Sequence, residues 1–343
     1  MTIVRRLIAA GIGAITVAMA GAGAGAGQLI TVAALPFVSS APLFIAKERG
    51  YYADEGLEVE IRFFRAAQPV AVAIASGDAD FGVTAFTAEF FNLAGKGALK
   101  VIGAQSREEP GFDFSGYVVS NRALTDGFTS PANFRGRTLG ITTAGSSFHY
   151  MIGQLIDHFG WPEDAVTLRP LQSVPNMISA VTAGEVDAII LPAHIVNPLN
   201  ASGAAHVIGW VHQYTPYQLG GLFTSTRNIE TRRSLVQRFV RAYQRGASDY
   251  HNAMNRLDSQ GNRMFGESAG PIIEILMEYV GPDPTPQKIK DGAPYIDPLG
   301  RLDVRDVHRQ LAWFQRHGLV GPDVEADRFI DLSFIQGHFN LSE

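Results

Sequence analysis

Cysteine is missing from all 343 residues. That absence removes disulfides, thiolate metal sites and every cysteine nucleophile. Basic residues are also few: 28 Lys and Arg against 33 Asp and Glu give a formal charge of −5. Neither nucleic acid nor an anionic membrane is therefore an expected partner. The nine histidines are scattered, with no HExxH and no paired spacing, so no metal and no cofactor are expected. No P-loop, GxGxxG after a strand, or GxSxG occurs, and "AGSSF" (144–148) lacks the second glycine. Past residue 27 no apolar run is long enough to cross a bilayer, and no low-complexity tract occurs.

What is present begins with an export signal. Arg5 and Arg6 precede an apolar run from Leu7 to Ala20, then Ala18-Met19-Ala20, Ala22-Gly23-Ala24 and Ala24-Gly25-Ala26 offer small-x-small cleavage sites. Residues 1–26 read as a secretory signal peptide, removed from an exported chain. A membrane anchor is the competing reading, but the run is short and dissolves into Gly-Ala. The Arg5-Arg6 pair leaves both the general secretory and the twin-arginine routes open.

With 46% hydrophobic and 18% charged residues, the remainder suits a globular protein of two lobes. Strand-like segments at 29–36, 57–64, 79–84, 137–142 and 186–191 each run into a loop and then a helix-like stretch. That alternation predicts an α/β fold with mostly parallel sheets. Two segments share one grammar. "AVAIASGDADFGVT" (71–84) and "MISAVTAGEVDAIIL" (177–191) each read as helix, glycine stop, acid, one residue, Asp, strand. A repeat in the same order predicts two similar lobes. In such sheets ligands bind beyond the carboxyl ends of the strands. Several of the loops there carry Ser and Thr, and helix N-termini favour an anion.

"APLFIAKERGYYADEGLEVEI" (41–61), "ASGDADFGVT" (75–84), "FRGRTLGITTAGSSFHY" (134–150) and "GEVDAIIL" (184–191) stand in this order. Together they resemble the periplasmic solute-binding proteins of ABC importers, in the nitrate/sulfonate/taurine branch that includes binders of thiamine-pyrimidine precursors. The likeness covers most of residues 29–225. It implies a type II periplasmic-binding fold, two α/β lobes joined by two crossing strands. The crossings are expected near Tyr117–Val119 and Leu222–Thr224, giving lobe I as 27–118 with 222–343 and lobe II as 119–221. The tail is expected to complete lobe I, with Trp313 and Phe314 packing. Implied partners are a small organic ligand, an ABC permease and its ATPase, with the binding protein a monomer.

By family position the ligand contacts are Phe37, Ser39 and Ser40, then Thr84, Phe86 and Thr87, then Gly145, Ser146, Ser147, Phe148 and His149. Ser146 and Ser147 can either cap a helix or hold an oxyanion. Phe37, Phe86 and Phe148 either sandwich a planar ring or belong to the core. His149 either adds a charge to the pocket or packs on the helix face. His194 in "LPAHI" (191–195) stands where related transporters often place a Trp, which turns the expected ligand away from taurine and simple alkanesulfonates. Arg65, Gln68, Tyr214, Tyr217 and Gln218 are within reach of the mouth. The expected function is capture of a small organic anion, an aromatic carboxylate or sulfonate, without catalysis. Alternatives are a taurine or alkanesulfonate, nitrate or pyrimidine-precursor binder, a periplasmic sensor-input protein, or an enzyme on the same fold.

Overall fold

The computed structural model describes residues 27–281 and 283–339, and the expected signal peptide (1–26) lies outside them. The chain opens with β1 (Gln28–Ala34), α1 (Ala41–Glu48), α2 (Tyr51–Asp54), β2 (Leu57–Phe63) and α3 (Ala67–Ser76). β3 (Phe81–Ala85), α4 (Ala88–Gly95) and β4 (Leu99–Ala104) follow, then a short strand β5 (Arg107–Glu108). The second lobe holds β6 (Ser115–Val119), α5 (Asn121–Thr125), β7 (Thr138–Ile141), α6 (Ser147–Phe159) and β8 (Thr167–Pro170). It continues through α7 (Val174–Thr182), β9 (Ala188–Pro192), α8 (Ala193–Ala201) and β10 (His206–Trp210). β11 (Tyr217–Gln218) and β12 (Gly220–Ser225) lead back, and α9 (Thr226–Met254), α10 (Ala269–Tyr279), α11 (Pro286–Asp291) and α12 (Val304–Arg316) form the tail.

The two five-stranded sheets have orders β2-β1-β3-β12-β4 and β10-β6-β9-β7-β8. Each is parallel around its central strands and takes in one antiparallel strand next to the crossing, β12 in the first and β6 in the second. The repeated grammar has a physical purpose. Gly77 (φ +85°) stops α3, and Gly184 (φ +70°) turns the chain after α7, conformations that cost an L-residue but not glycine. Asp80 then exchanges two bonds with Thr31 of β1: its N–H donates to the Thr31 carbonyl at 2.8 Å, and its carboxylate accepts the Thr31 N–H at 3.0 Å. Asp187 does the same with Thr138 of β7, at 2.8 and 2.9 Å. Each carboxylate also pairs with an arginine, Arg232 at 2.6 Å and Arg122 at 2.9 Å. The repeated Asp therefore extends the ladder by one rung where a new strand enters, once per lobe.

The crossings lie earlier than expected. β5 and β11 pair as a two-stranded antiparallel ribbon, Arg107 opposite Gln218 and Glu108 opposite Tyr217. Tyr117–Val119 belongs to β6, all five residues of which are buried between β9 and β10, and Leu222–Thr224 lies inside the first sheet. β-rich composition marks a strand but does not say which sheet holds it.

The tail also differs from expectation. α12 leaves lobe I and packs on α4, on α6 of lobe II and on the β11 hinge strand. Gly153 of α6 has no room for a side chain because the Trp313 ring fills that space. α12 further clamps the hinge: the Asp306 carboxylate accepts the Gln218 N–H at 2.8 Å, and Gln310 Nε2 donates to the Gln218 carbonyl at 2.7 Å.

Candidate ligand-binding cleft

The ends of β1, β3, β7 and β9 converge with the N-terminus of α6 on one cleft between the lobes. Its apolar wall comes from Leu35, Phe37, Phe114, Phe148, Met151 and Leu219. Its polar groups are Ser39, Thr84, Gln105, Ser115, Thr142, Ser146 and Ser147. Among the described residues no Asp, Glu, Lys, Arg or His lines it. The cleft is thus neutral, and any charge on a ligand must be met by hydroxyls, amides and the partial positive charge of the α6 N-terminus.

Local sequence explains that arrangement. Ser146 is in extended conformation and its Oγ accepts the His149 N–H at 3.2 Å, so it caps α6. Capping leaves the following Ser147 free: its hydroxyl, like those of Thr84 and Thr142, makes no hydrogen bond among the described residues. On the opposite wall Gln105 Nε2 donates to Ser39 Oγ at 3.3 Å, while Gln105 Oε1 is buried without a partner. An unmet buried acceptor costs about 1–3 kcal/mol.

The lobes touch across the cleft. The Ala88 N–H donates to the Gly145 carbonyl at 2.9 Å, the Val174 N–H to the Arg65 carbonyl at 3.4 Å, and Gln68 Nε2 to Thr143 Oγ1. This is a closed arrangement, with the pocket walled on both sides.

Residues 38–254 match the family model described as NMT1/THI5 like. The chain belongs to that family. Among solved structures, it resembles the alkanesulfonate-binding protein SsuA of Xanthomonas axonopodis pv. citri bound to MOPS, at TM-score 0.71 and 16% identity over 89% of this chain and 99% of that one. It also resembles the ligand-binding component of an ABC-type import system from Staphylococcus aureus, at 0.69 and 14% over 90% and 97%. The desulfurization enzyme DszB shares the fold as well, at 0.63 and 15% over 90% and 97%. These likenesses establish the periplasmic-binding fold for this family member. No curated protein sequence matches the chain.

Of the expected contacts, Phe37, Ser39, Thr84, Ser146, Ser147 and Phe148 line the cleft of this NMT1/THI5-like chain. The other six do not, each for a specific reason. Ser40 Oγ is taken by the Leu35 carbonyl at 3.1 Å. Phe86 is fully buried against Phe90 and Phe91, over Gly221, where a Cβ would lie 2.6 Å from its ring. Thr87 caps α4, its Oγ1 accepting the Phe90 N–H at 3.1 Å. Gly145 meets lobe I rather than the pocket. His149 turns away: its Nδ1 accepts the Gly145 N–H at 3.0 Å, its ring meets Trp313 edge-on, and burial lowers its pKa to about 4. His194 lines an adjoining cavity. Tyr217 and Gln218 sit in the hinge and Tyr214 packs on Tyr117 and Phe159, so none lines the pocket.

Sequence reasoning missed Gln105, Phe114 and Ser115, which flank the outward crossing; placing that crossing about ten residues late hid them. It also passed over Thr142, which lay inside a quoted motif. Behind Ser115 stands Glu108, wholly buried in the hinge ribbon, its carboxylate facing the Ser115 N–H at 3.5 Å. Burial raises its pKa to about 8. The hydroxyls of Tyr117 and Tyr217 nearby are buried without partners.

Proposed function

We propose that the chain is the solute-binding component of an ABC importer, exported to the periplasm, that takes up a small organic acid between its lobes. A membrane permease with its ATPase would receive the closed, loaded monomer. The observation that carries the reading is the neutral, aromatic-walled interlobe cleft with the free Ser147 hydroxyl at the N-terminus of α6. Family membership and the roles of the sulfonate-binding and import-system relatives support it.

The cleft favours an aromatic carboxylate or sulfonate. Taurine brings an ammonium group, and no carboxylate lines the cleft to meet it. Nitrate leaves the wall of Phe37, Phe114 and Phe148 unused. A helix N-terminus contributes ~0.3–1 kcal/mol, up to ~2 when partly buried. Micromolar affinity needs roughly 8 kcal/mol, so ring burial and closure must supply most of it. The unmet Gln105 Oε1 favours a ligand that also carries a donor, which keeps aminopyrimidines as a second reading. Binding rather than catalysis is proposed because the cleft offers no side chain to act as nucleophile or general acid–base beyond neutral hydroxyls.

The test is a thermal-shift screen of the chain from Gln28 onward, refolded to strip carried ligand, against benzoate, naphthalene-2-sulfonate, taurine, nitrate and an aminopyrimidine. An aromatic acid is expected to stabilise it, and Ser147→Ala to weaken that acid about tenfold or more, as for a hydrogen bond to a charged group. Phe86→Ala, a core truncation, is expected to cost about 3–5 kcal/mol of stability with Kd unchanged. Stabilisation by taurine or nitrate alone, or indifference to Ser147→Ala, would sink the aromatic-acid reading.

A further inference from the structure

Past Phe37 the cleft adjoins a second, larger cavity. Phe37 and Val174 line both, so the two share a wall. The second is walled by Phe64, Ile178, Leu199 and Ile289, with Arg65 at its exposed edge. Four polar side chains line it, Arg65, Asp283, Lys288 and His194, and of these His194 alone is buried. His194 is 7% exposed, tilts against Phe37 at 5.4 Å between ring centres, and has no partner on either ring nitrogen among the described residues.

Buried imidazoles are ordinarily hydrogen-bonded, because leaving both nitrogens dry forfeits their hydration with nothing in return. His194 has no way to retreat. α11 presses on its backbone so closely that a Cβ at Gly292 would lie 2.6 Å from its N and Cβ atoms. Burial holds the ring neutral, lowering its pKa to about 3, so it offers one donor and one acceptor. A hydroxyl, which both donates and accepts, matches that pair of functions better than an anion does.

We propose that this cavity is a second compartment of the ligand site, taking the apolar body of an elongated acid that carries a neutral hydrogen-bonding group, such as a hydroxyl, for His194. The inference rests on the reading that the first compartment holds the acidic head. The full ligand is then an amphiphile larger than a single ring, with Phe37 packed against its middle.

The probe is 1-anilinonaphthalene-8-sulfonate, titrated by fluorescence into the wild-type chain, into Ile178→Trp, which fills the second compartment, and into Ala67→Phe, which fills the first. Wild type is expected to bind one probe with blue-shifted emission. Ile178→Trp should bind at least tenfold more weakly with an unchanged far-UV spectrum. Equal binding by these two chains, or no saturable binding to wild type, overturns the second compartment. Weakening in Ile178→Trp but not in Ala67→Phe keeps the second compartment and rejects the acid-head reading of the first. The role of His194 is read by calorimetry with biphenyl-4-carboxylate and its 4′-hydroxy derivative. Wild type should prefer the hydroxylated acid at least fivefold, and His194→Leu should lose that preference. A wild-type ratio near one, a ratio that His194→Leu leaves intact, or failure of both acids to bind overturns it.

Discussion

Gly145→Ala is expected to weaken ligand binding by about ten- to hundredfold, equivalent to roughly 1.4–2.8 kcal/mol. Gly145 has φ +76°, and a Cβ there would lie 2.6 Å from Ala88 Cβ, across the line where the lobes meet. The same contact carries the bond from the Ala88 N–H to the Gly145 carbonyl. An added methyl holds the lobes apart and removes the closed state to which the ligand owes its affinity. The left-handed conformation adds its own cost of roughly 1–2 kcal/mol, present in open and closed chains alike. Gly160→Ala isolates that cost, because Gly160 has φ +61° and nothing within 4 Å of its would-be Cβ. Calorimetry on the three chains separates the effects: both variants lose stability, and only Gly145→Ala loses affinity. Equal Kd values for Gly145→Ala and Gly160→Ala would place closure elsewhere.

The second large effect concerns the hinge. Glu108 has its pKa raised by burial from 4.5 to about 8, so the folded chain keeps a proton that the unfolded chain releases. Its contribution is fully present below pH 4.5 and is lost progressively as pH rises toward 8. At about 1.4 kcal/mol per pH unit across that window, Glu108→Gln is expected to gain up to about 5 kcal/mol at pH 8.5. At pH 4.5 the two chains should be equally stable. The glutamine preserves an acceptor for the Ser115 N–H. His149 and His194, with pKa values lowered to about 4 and 3, act in the other direction: they withdraw stability as pH falls below 6.5. They are common to both chains and cancel in the difference. Urea unfolding at pH 4.5, 6.5 and 8.5 provides the comparison, and parallel pH profiles would show that Glu108 is not the group responsible.

Much of the fold was legible because its signals are local. The Gly-acid-x-Asp grammar identified two equivalent strand entries, and the structure shows why both need the aspartate: Asp80 and Asp187 each bond a residue of the neighbouring strand, Thr31 within β1 and Thr138 at the start of β7. Ser146 and Ser147 were placed at a helix start by sequence, and that start faces the cleft. What failed depended on distant packing. Phe37 and Phe86 both follow strands, yet one lines the pocket and the other fills the core, a difference set by Phe90, Phe91 and Gly221 rather than by neighbours. His149 is turned by Trp313, more than 160 residues later in the chain, on a tail helix that crosses between lobes. The hinge is two residues long on each side, too short to carry a periodicity.

The central claim is that an organic acid is held between the lobes and keeps them closed. The absence of cysteine makes a direct measurement simple: Glu60→Cys in β2 and Ser179→Cys in α7 place one fluorophore on each lobe. Saturation with the most stabilising acid of the panel should convert the inter-lobe transfer efficiency to a single higher value, and Gly145→Ala should blunt that change. An unchanged efficiency at full saturation would contradict the account, because the acid would then bind without drawing the lobes together.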